Sequence, residues 1–194
     1  MQLSRIYLSL IASLMLGLST SLQAADPVLV QFETSAGAFI VQLDPERAPL
    51  SVANFLKYVD EGFYTNTVFH RVINGFVIQG GGFTSDLKLK KARPGVPNES
   101  GNGLSNRRGT IAMARFNDPH SGDAQFYINL ADNASLDPKP TRWGYAVFGD
   151  VIQGMEVIDD IGHRLTSVQE GTSDVPVEPV IIQKASLLKP PATR

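Results

Sequence analysis

The densest chemistry in the chain lies between Phe69 and Gly82. Arg71 brings a guanidinium, Phe76 an aromatic ring and Gln79 an amide to one short stretch. The set offers hydrogen-bond donation, apolar contact and amide pairing, and none of the three groups is a nucleophile. Gly80-Gly81-Gly82 follows, which permits close backbone approach and unusual dihedral angles. Taken singly, Arg71 reads as a surface ion-pair partner, Phe76 as core and Gln79 as a loop cap. Their joint occurrence points to a site. If the segment is a regular strand, neighbours alternate between faces, so Phe69 and Arg71 share one face and His70 takes the other.

Other chemistries are excluded by what is missing. With no cysteine, the chain has no disulfide, no thiolate metal site and no cysteine nucleophile. The histidines are His70, His120 and His163, none at ligand spacing from another, so no metal is expected. There is no G-x-S-x-G elbow and no phosphate loop. Gly101-Asn102-Gly103 lacks a third glycine and a strand-to-helix setting, so it reads as a turn. Asn98-Glu99-Ser100 and Asn133-Ala134-Ser135 match the glycosylation sequon, which matters only in a eukaryotic secretory host. A formal net charge of −2 provides no field to hold nucleic acid. The basic cluster Lys88, Lys90, Lys91 and Arg93 reads as a solvated loop.

The elements that must position the candidate residues follow from periodicity and punctuation. Residues 1–24 have the layout of a cleaved signal peptide: Arg5, the apolar run Ile6 to Leu18, then small and polar residues up to Ala24. One domain is expected over residues 25–188, with a frayed tail at 189–194. Val28 to Phe32 and Ala38 to Leu43 read as a hairpin around Thr34-Ser35-Ala36-Gly37. A helix from Leu50 or Ser51 to Glu61 presents Val52, Phe55, Leu56 and Val59 on one face. Gly62 suits its C-terminal cap. Strands are expected at Val68 to Ile73 and Phe76 to Gln79, around Asn74-Gly75. Thr84 to Arg108 reads as an ordered surface loop. Further strands fall at Thr110 to Ala114, Gln125 to Leu130, and Tyr145 to Phe148. A second helix runs from Gly154 or Met155 to Ile161, and Pro176 to Leu188 forms the last strand. The chain is thus mainly all-β with two helices, and the pattern leaves barrel and sandwich both open.

Phe69-His70-Arg71-Val72-Ile73-Asn74-Gly75-Phe76-Val77-Ile78-Gln79-Gly80-Gly81 resembles the signature of the cyclophilin family of peptidyl-prolyl cis-trans isomerases. Gly109 to Arg115, Ala124 to Asn129 and Tyr145 to Gly149 look like further blocks of that family. The likeness spans roughly Val28 to Leu187, and the signal peptide and the surroundings of Arg115 look most like its bacterial periplasmic branch. It implies a closed eight-stranded antiparallel β-barrel capped by two α-helices. It also implies catalysis of X-Pro rotation with Arg71 as the catalytic residue. Phe76, Val77, Tyr127 and Leu136 would hold the proline ring, and Gln79 and Gln125 would bond substrate backbone. Tyr145 stands where many members carry histidine, and His70 takes a supporting role in substrate binding.

No cofactor is implied. The expected partners are proline-containing polypeptides met in the periplasm, with no nucleic acid, no stable membrane insertion after cleavage, and a monomer by default. A binding module without turnover would keep the apolar pocket but would not need Arg71. Many eukaryotic members carry tryptophan, which helps bind cyclosporin, where Ser135 stands here. Weak cyclosporin binding is therefore expected, and Trp143 could substitute only if its loop folds back.

Overall fold

A computed structural model describes residues 27–188. The proposed signal peptide and tail lie outside the described residues. Hydrophobic alternation builds the first hairpin, β1 (Val28–Thr34) and β2 (Gly37–Leu43), paired from Val28↔Leu43 to Thr34↔Gly37. Val30, Phe32, Phe39 and Val41 all point into the core, and the Phe32 and Phe39 rings stack at 4.8 Å.

Helix α1 (Pro49–Asp60) begins one residue ahead of the expected start, because proline at the first helical position loses no hydrogen bond. Its buried face carries Val52, Phe55, Tyr58 and Val59, and the Phe55 ring sits 5.2 Å from Phe148. The chain leaves the helix through Gly62 at φ +64°. Strands β3 (Thr67–Ile73) and β4 (Val77–Thr84) follow, then β5 (Thr110–Met113) and β6 (Phe126–Asn129). A short 3₁₀ turn at Ala134–Leu136 precedes β7 (Val147–Gln153) and α2 (Met155–Gly162), which buries Ile158 and Ile161. The chain ends in β8 (Thr166–Gln169), β9 (Thr172–Pro176) and β10 (Ile181–Leu188).

Eight strands close into an antiparallel barrel in the order β1-β10-β3-β4-β6-β5-β7-β2, with β8 and β9 as a separate two-stranded sheet. This resolves the choice between barrel and sandwich. Closure removes the free edges that an open sheet would present.

Four local readings change. The closing strand starts at Ile181, and Pro176 belongs to β9. Strand β4 runs on through all three glycines, whereas Phe76 sits in the turn before it. Tyr145 lies in the loop before β7. Phe69 and Arg71 do not share a face. In the β3–β4 register Phe69 faces Gly80 and Arg71 faces Gln79, so His70 is an extra residue on β3. This bulge lets Phe69 and Val72 both enter the main core while Arg71 turns away from it.

Two basic residues of the long loop, Lys90 and Arg93, anchor its first part. Lys90 donates to the Phe63 carbonyl, and Arg93 stacks 4.0 Å over the Tyr58 ring while pairing with Glu61. Two of the four residues of the cluster that reads as a solvated loop thus clamp this segment to the end of α1, while Lys88 and Lys91 remain exposed as that reading expects.

Candidate active site

The bulge in β3 aims Arg71 at a cleft of about 410 Å³. Phe76, Val77, Gln79, Tyr127, Leu136 and Tyr145 line the same cleft, together with Ala114 and Arg115. The floor is an apolar cluster separate from the barrel core, built on buried Val77, Ala112, Ala114, Tyr127 and Val147. Phe76, Leu136 and Tyr145 pack on it half-buried, leaving apolar surface open to an incoming group.

A polar chain crosses one side. Arg71 Nη1 donates to Gln79 Oε1 at 3.4 Å, and Gln79 Nε2 donates to Gln125 Oε1 at 3.3 Å. Gln125 does not line the cleft but backs Gln79 from behind. It can do so because Gly82 leaves room: a Cβ there would fall 2.4 Å from Gln125 Cγ. His70 is not brought into the cleft either. Its ring packs 4.4 Å from Phe83, and burial is the main cause that drives its pKa down to about 4.

Arg115 was visible in the sequence only as part of a motif block. Its Nε, Nη1 and Nη2 donate to the carbonyls of Gly144, Phe116 and Trp143, at 3.3, 2.9 and 3.1 Å. Its guanidinium lies 4.6 Å over the Tyr145 ring. With its donors so engaged, Arg115 is a wall of the cleft that fixes Tyr145.

Beneath the floor lies a polar network that sequence reasoning missed. Tyr127 donates its hydroxyl to Asn106 Oδ1 at 2.6 Å, and burial pushes that phenol well above its usual pKa. Asn106 Nδ2 donates to Asp137 Oδ1 at 2.9 Å. Asn133 Nδ2 donates to the Phe76 carbonyl at 2.9 Å and to Asn129 Oδ1 at 2.8 Å. The network ties the Phe76 turn, Tyr127 and the loop after Leu136 together, and each buried amide is satisfied, which rigidifies the floor. Asn133 is buried within it, not displayed as a sequon acceptor would be. The only sequence signal was the polar types of Asn106, Asn129, Asn133 and Asp137, scattered along the chain.

Residues 29–187 match the family described as Cyclophilin type peptidyl-prolyl cis-trans isomerase/CLD. The chain belongs to the cyclophilin family. This cyclophilin is 49% identical over 171 residues to peptidyl-prolyl cis-trans isomerase A of Dickeya dadantii strain 3937, covering 88% of this chain and 90% of that protein. It is 47% identical over 162 residues to peptidyl-prolyl cis-trans isomerase B of Escherichia coli strain K12, covering 82% and 99%. Its fold is similar to a Cryptosporidium parvum cyclophilin type isomerase, with TM-score 0.71 and 26% identity over 85% of this chain and 99% of that one. A second crystal structure of that parasite protein was obtained in the presence of the dipeptide Ala-Pro, at TM-score 0.70 and 26% identity, covering 84% and 99%. The relatives place the cyclophilin in a bacterial branch, and peptidyl-prolyl cis-trans isomerase activity (EC 5.2.1.8) comes with membership.

Proposed function

We propose that this cyclophilin accelerates X-Pro rotation in polypeptides folding after export to the periplasm, with Arg71 as the catalytic group and the apolar floor as the proline pocket. The observation that carries the reading is the convergence of Arg71, Gln79 and the Phe76-Val77-Tyr127-Leu136 surface on one cleft. The signal-peptide layout of residues 1–24 supports the compartment.

Amide resonance sets a barrier of about 18–20 kcal/mol, and no bond is made or broken in crossing it. Catalysis therefore requires only that the twisted amide bind better than either planar form. In the twisted state the prolyl nitrogen regains its lone pair. A guanidinium hydrogen bond to that nitrogen strengthens only there. Arg71 has the donors for it, because Nη2 carries no hydrogen bond among the described residues. Phe76, Val77, Tyr127 and Leu136 hold the ring, Gln79 bonds substrate backbone, and Gln125 reaches it through Gln79. Tyr145 closes the far side.

A roughly hundred-thousand-fold acceleration needs about 7 kcal/mol. One charge-assisted hydrogen bond contributes about 1.5–3 kcal/mol, so the ring pocket and the holding of both flanking segments contribute the remainder. Arg71→Ala should lower kcat/KM by about tenfold to a hundredfold in a proline-peptide isomerisation assay on the purified mature chain. Unchanged turnover in that variant would show that the apolar pocket acts without the arginine.

A further inference from the structure

The β8–β9 hairpin carries one residue whose conformation and contacts the isomerase reading leaves unexplained. Its two-residue tip, Glu170-Gly171, has positive φ at both positions (48° and 78°), as the twist of a tight hairpin requires. Asp174 does not lie in the tip, yet it too has a positive φ, 62°. The pairing shows why. Ser167 faces Val175 and Gln169 faces Thr172, so β9 spends one more residue than β8 over the same span. Asp174 is in that bulge, and bulges re-aim side chains. An L-residue at positive φ is uncommon, and aspartate is among the few that tolerate it.

The bulge aims the Asp174 carboxylate at Arg71. Asp174 Oδ2 lies 3.9 Å from Arg71 Nε, and the same oxygen accepts a 3.3 Å hydrogen bond from Ser173 Oγ. Both partners of the ion pair are more than a third exposed (37% and 38%). An exposed pair at this distance adds little to stability. What it does is geometric. Gln79 holds the guanidinium at Nη1 and Asp174 holds it at Nε. Contacts at those two nitrogens bias the planar fork against rotation about its long axis, and Nη2 carries no hydrogen bond among the described residues.

We propose that Asp174 is a positioning residue: strand β9 packs beside β3 and its bulge presents a carboxylate that orients the Arg71 guanidinium toward the prolyl nitrogen. The proposal rests on Arg71 being the catalytic donor, so the test separates the two. Asp174→Gly removes the carboxylate at a backbone position that glycine favours, and Asp174→Asn removes only the charge. Neither asks the hairpin to adopt a new conformation, and equal thermal midpoints verify this.

Both variants should lower kcat by about threefold to tenfold with KM within about twofold of the parent chain. The Arg71 Nε–H resonance, assigned by its loss in Arg71→Ala, should exchange with solvent faster in Asp174→Gly. In an Arg71→Ala background the same substitution should change nothing. Full or raised kcat in both Asp174 variants overturns the proposal alone. So does an equal loss in the Arg71→Ala background, which would make the effect structural. Parent-like kcat in Arg71→Ala by itself overturns the catalytic reading of Arg71, and the proposal with it.

Discussion

Two arginines reach the cleft, and their engagement separates their roles. Arg115 spends three nitrogens on backbone carbonyls, whereas Arg71 meets only side chains that can give way. The type and spacing of Arg71, Phe76 and Gln79 were legible in the sequence, since each sits within one hairpin. Arg115 was not, because its role depends on carbonyls from the Trp143-Gly144 segment, far along the chain. Trp143 itself is half-exposed, turned edge-on to His120 at 5.3 Å, and does not line the cleft. Its loop does fold back, with Arg142 Nη2 donating to the Ser135 carbonyl at 2.6 Å, but the Trp143 ring stays outside the cleft. Ser135 is exposed in the 3₁₀ turn beside Leu136. Ser135→Trp should tighten cyclosporin binding by roughly tenfold or more, about 1.4 kcal/mol, in a calorimetric titration. A low-nanomolar dissociation constant for the parent chain would contradict the role given to this position.

At the scale of elements, the readings that held are those where one stretch of chain determines its own structure. The β1–β2 hairpin and the apolar face of α1 need only local periodicity. The bulges at His70 and Asp174 were not legible, because each is a mismatch between two strands and neither strand alone contains it. The β8–β9 hairpin was missed because Thr166-Ser167-Val168-Gln169 is mostly exposed, so no buried face imposes alternation on it. The start of α1 shows the same dependence on distant chain. Ala48, the residue just before the helix at its N-cap, offers no side-chain cap. Glu99 supplies one from the long loop, accepting from Leu50 N at 3.0 Å, Ser51 N at 2.8 Å and Ser51 Oγ at 2.7 Å. A carboxylate at a helix N-terminus also complements the helix dipole. Glu99→Ala should lower unfolding stability by about 1–2 kcal/mol, measured by urea titration near neutral pH. It should leave kcat nearly unchanged, since Glu99 does not line the cleft.

Across the whole molecule, the barrel wall behind the cleft is also where acid should act. The family motif made the closed barrel foreseeable, but not that its histidine would be enclosed. His70 is the bulge residue of β3, 5% exposed, packed on Phe83 and beside the charge of Arg71. Burial first, then that neighbouring charge, lower its pKa from 6.5 to about 4, opposed in part by the Val68 backbone. Above pH 6.5 the imidazole is neutral in the folded and unfolded chain alike, and stability does not depend on it. As pH falls from 6.5 toward 4 the unfolded chain takes up a proton that the folded chain refuses, so stability falls with it. Below about 4 both forms are protonated and the loss levels off. The full effect is on the order of 3 kcal/mol. Carboxylates titrate near the lower end of the same window, so the measurement is a difference: urea unfolding of the parent chain and of His70→Gln at matched pH values from 7 to 4. The parent should lose stability faster than the variant, by up to that amount at the acid end. Parallel curves would mean that the barrel admits the proton, and that the bulge at His70 is open to water in solution.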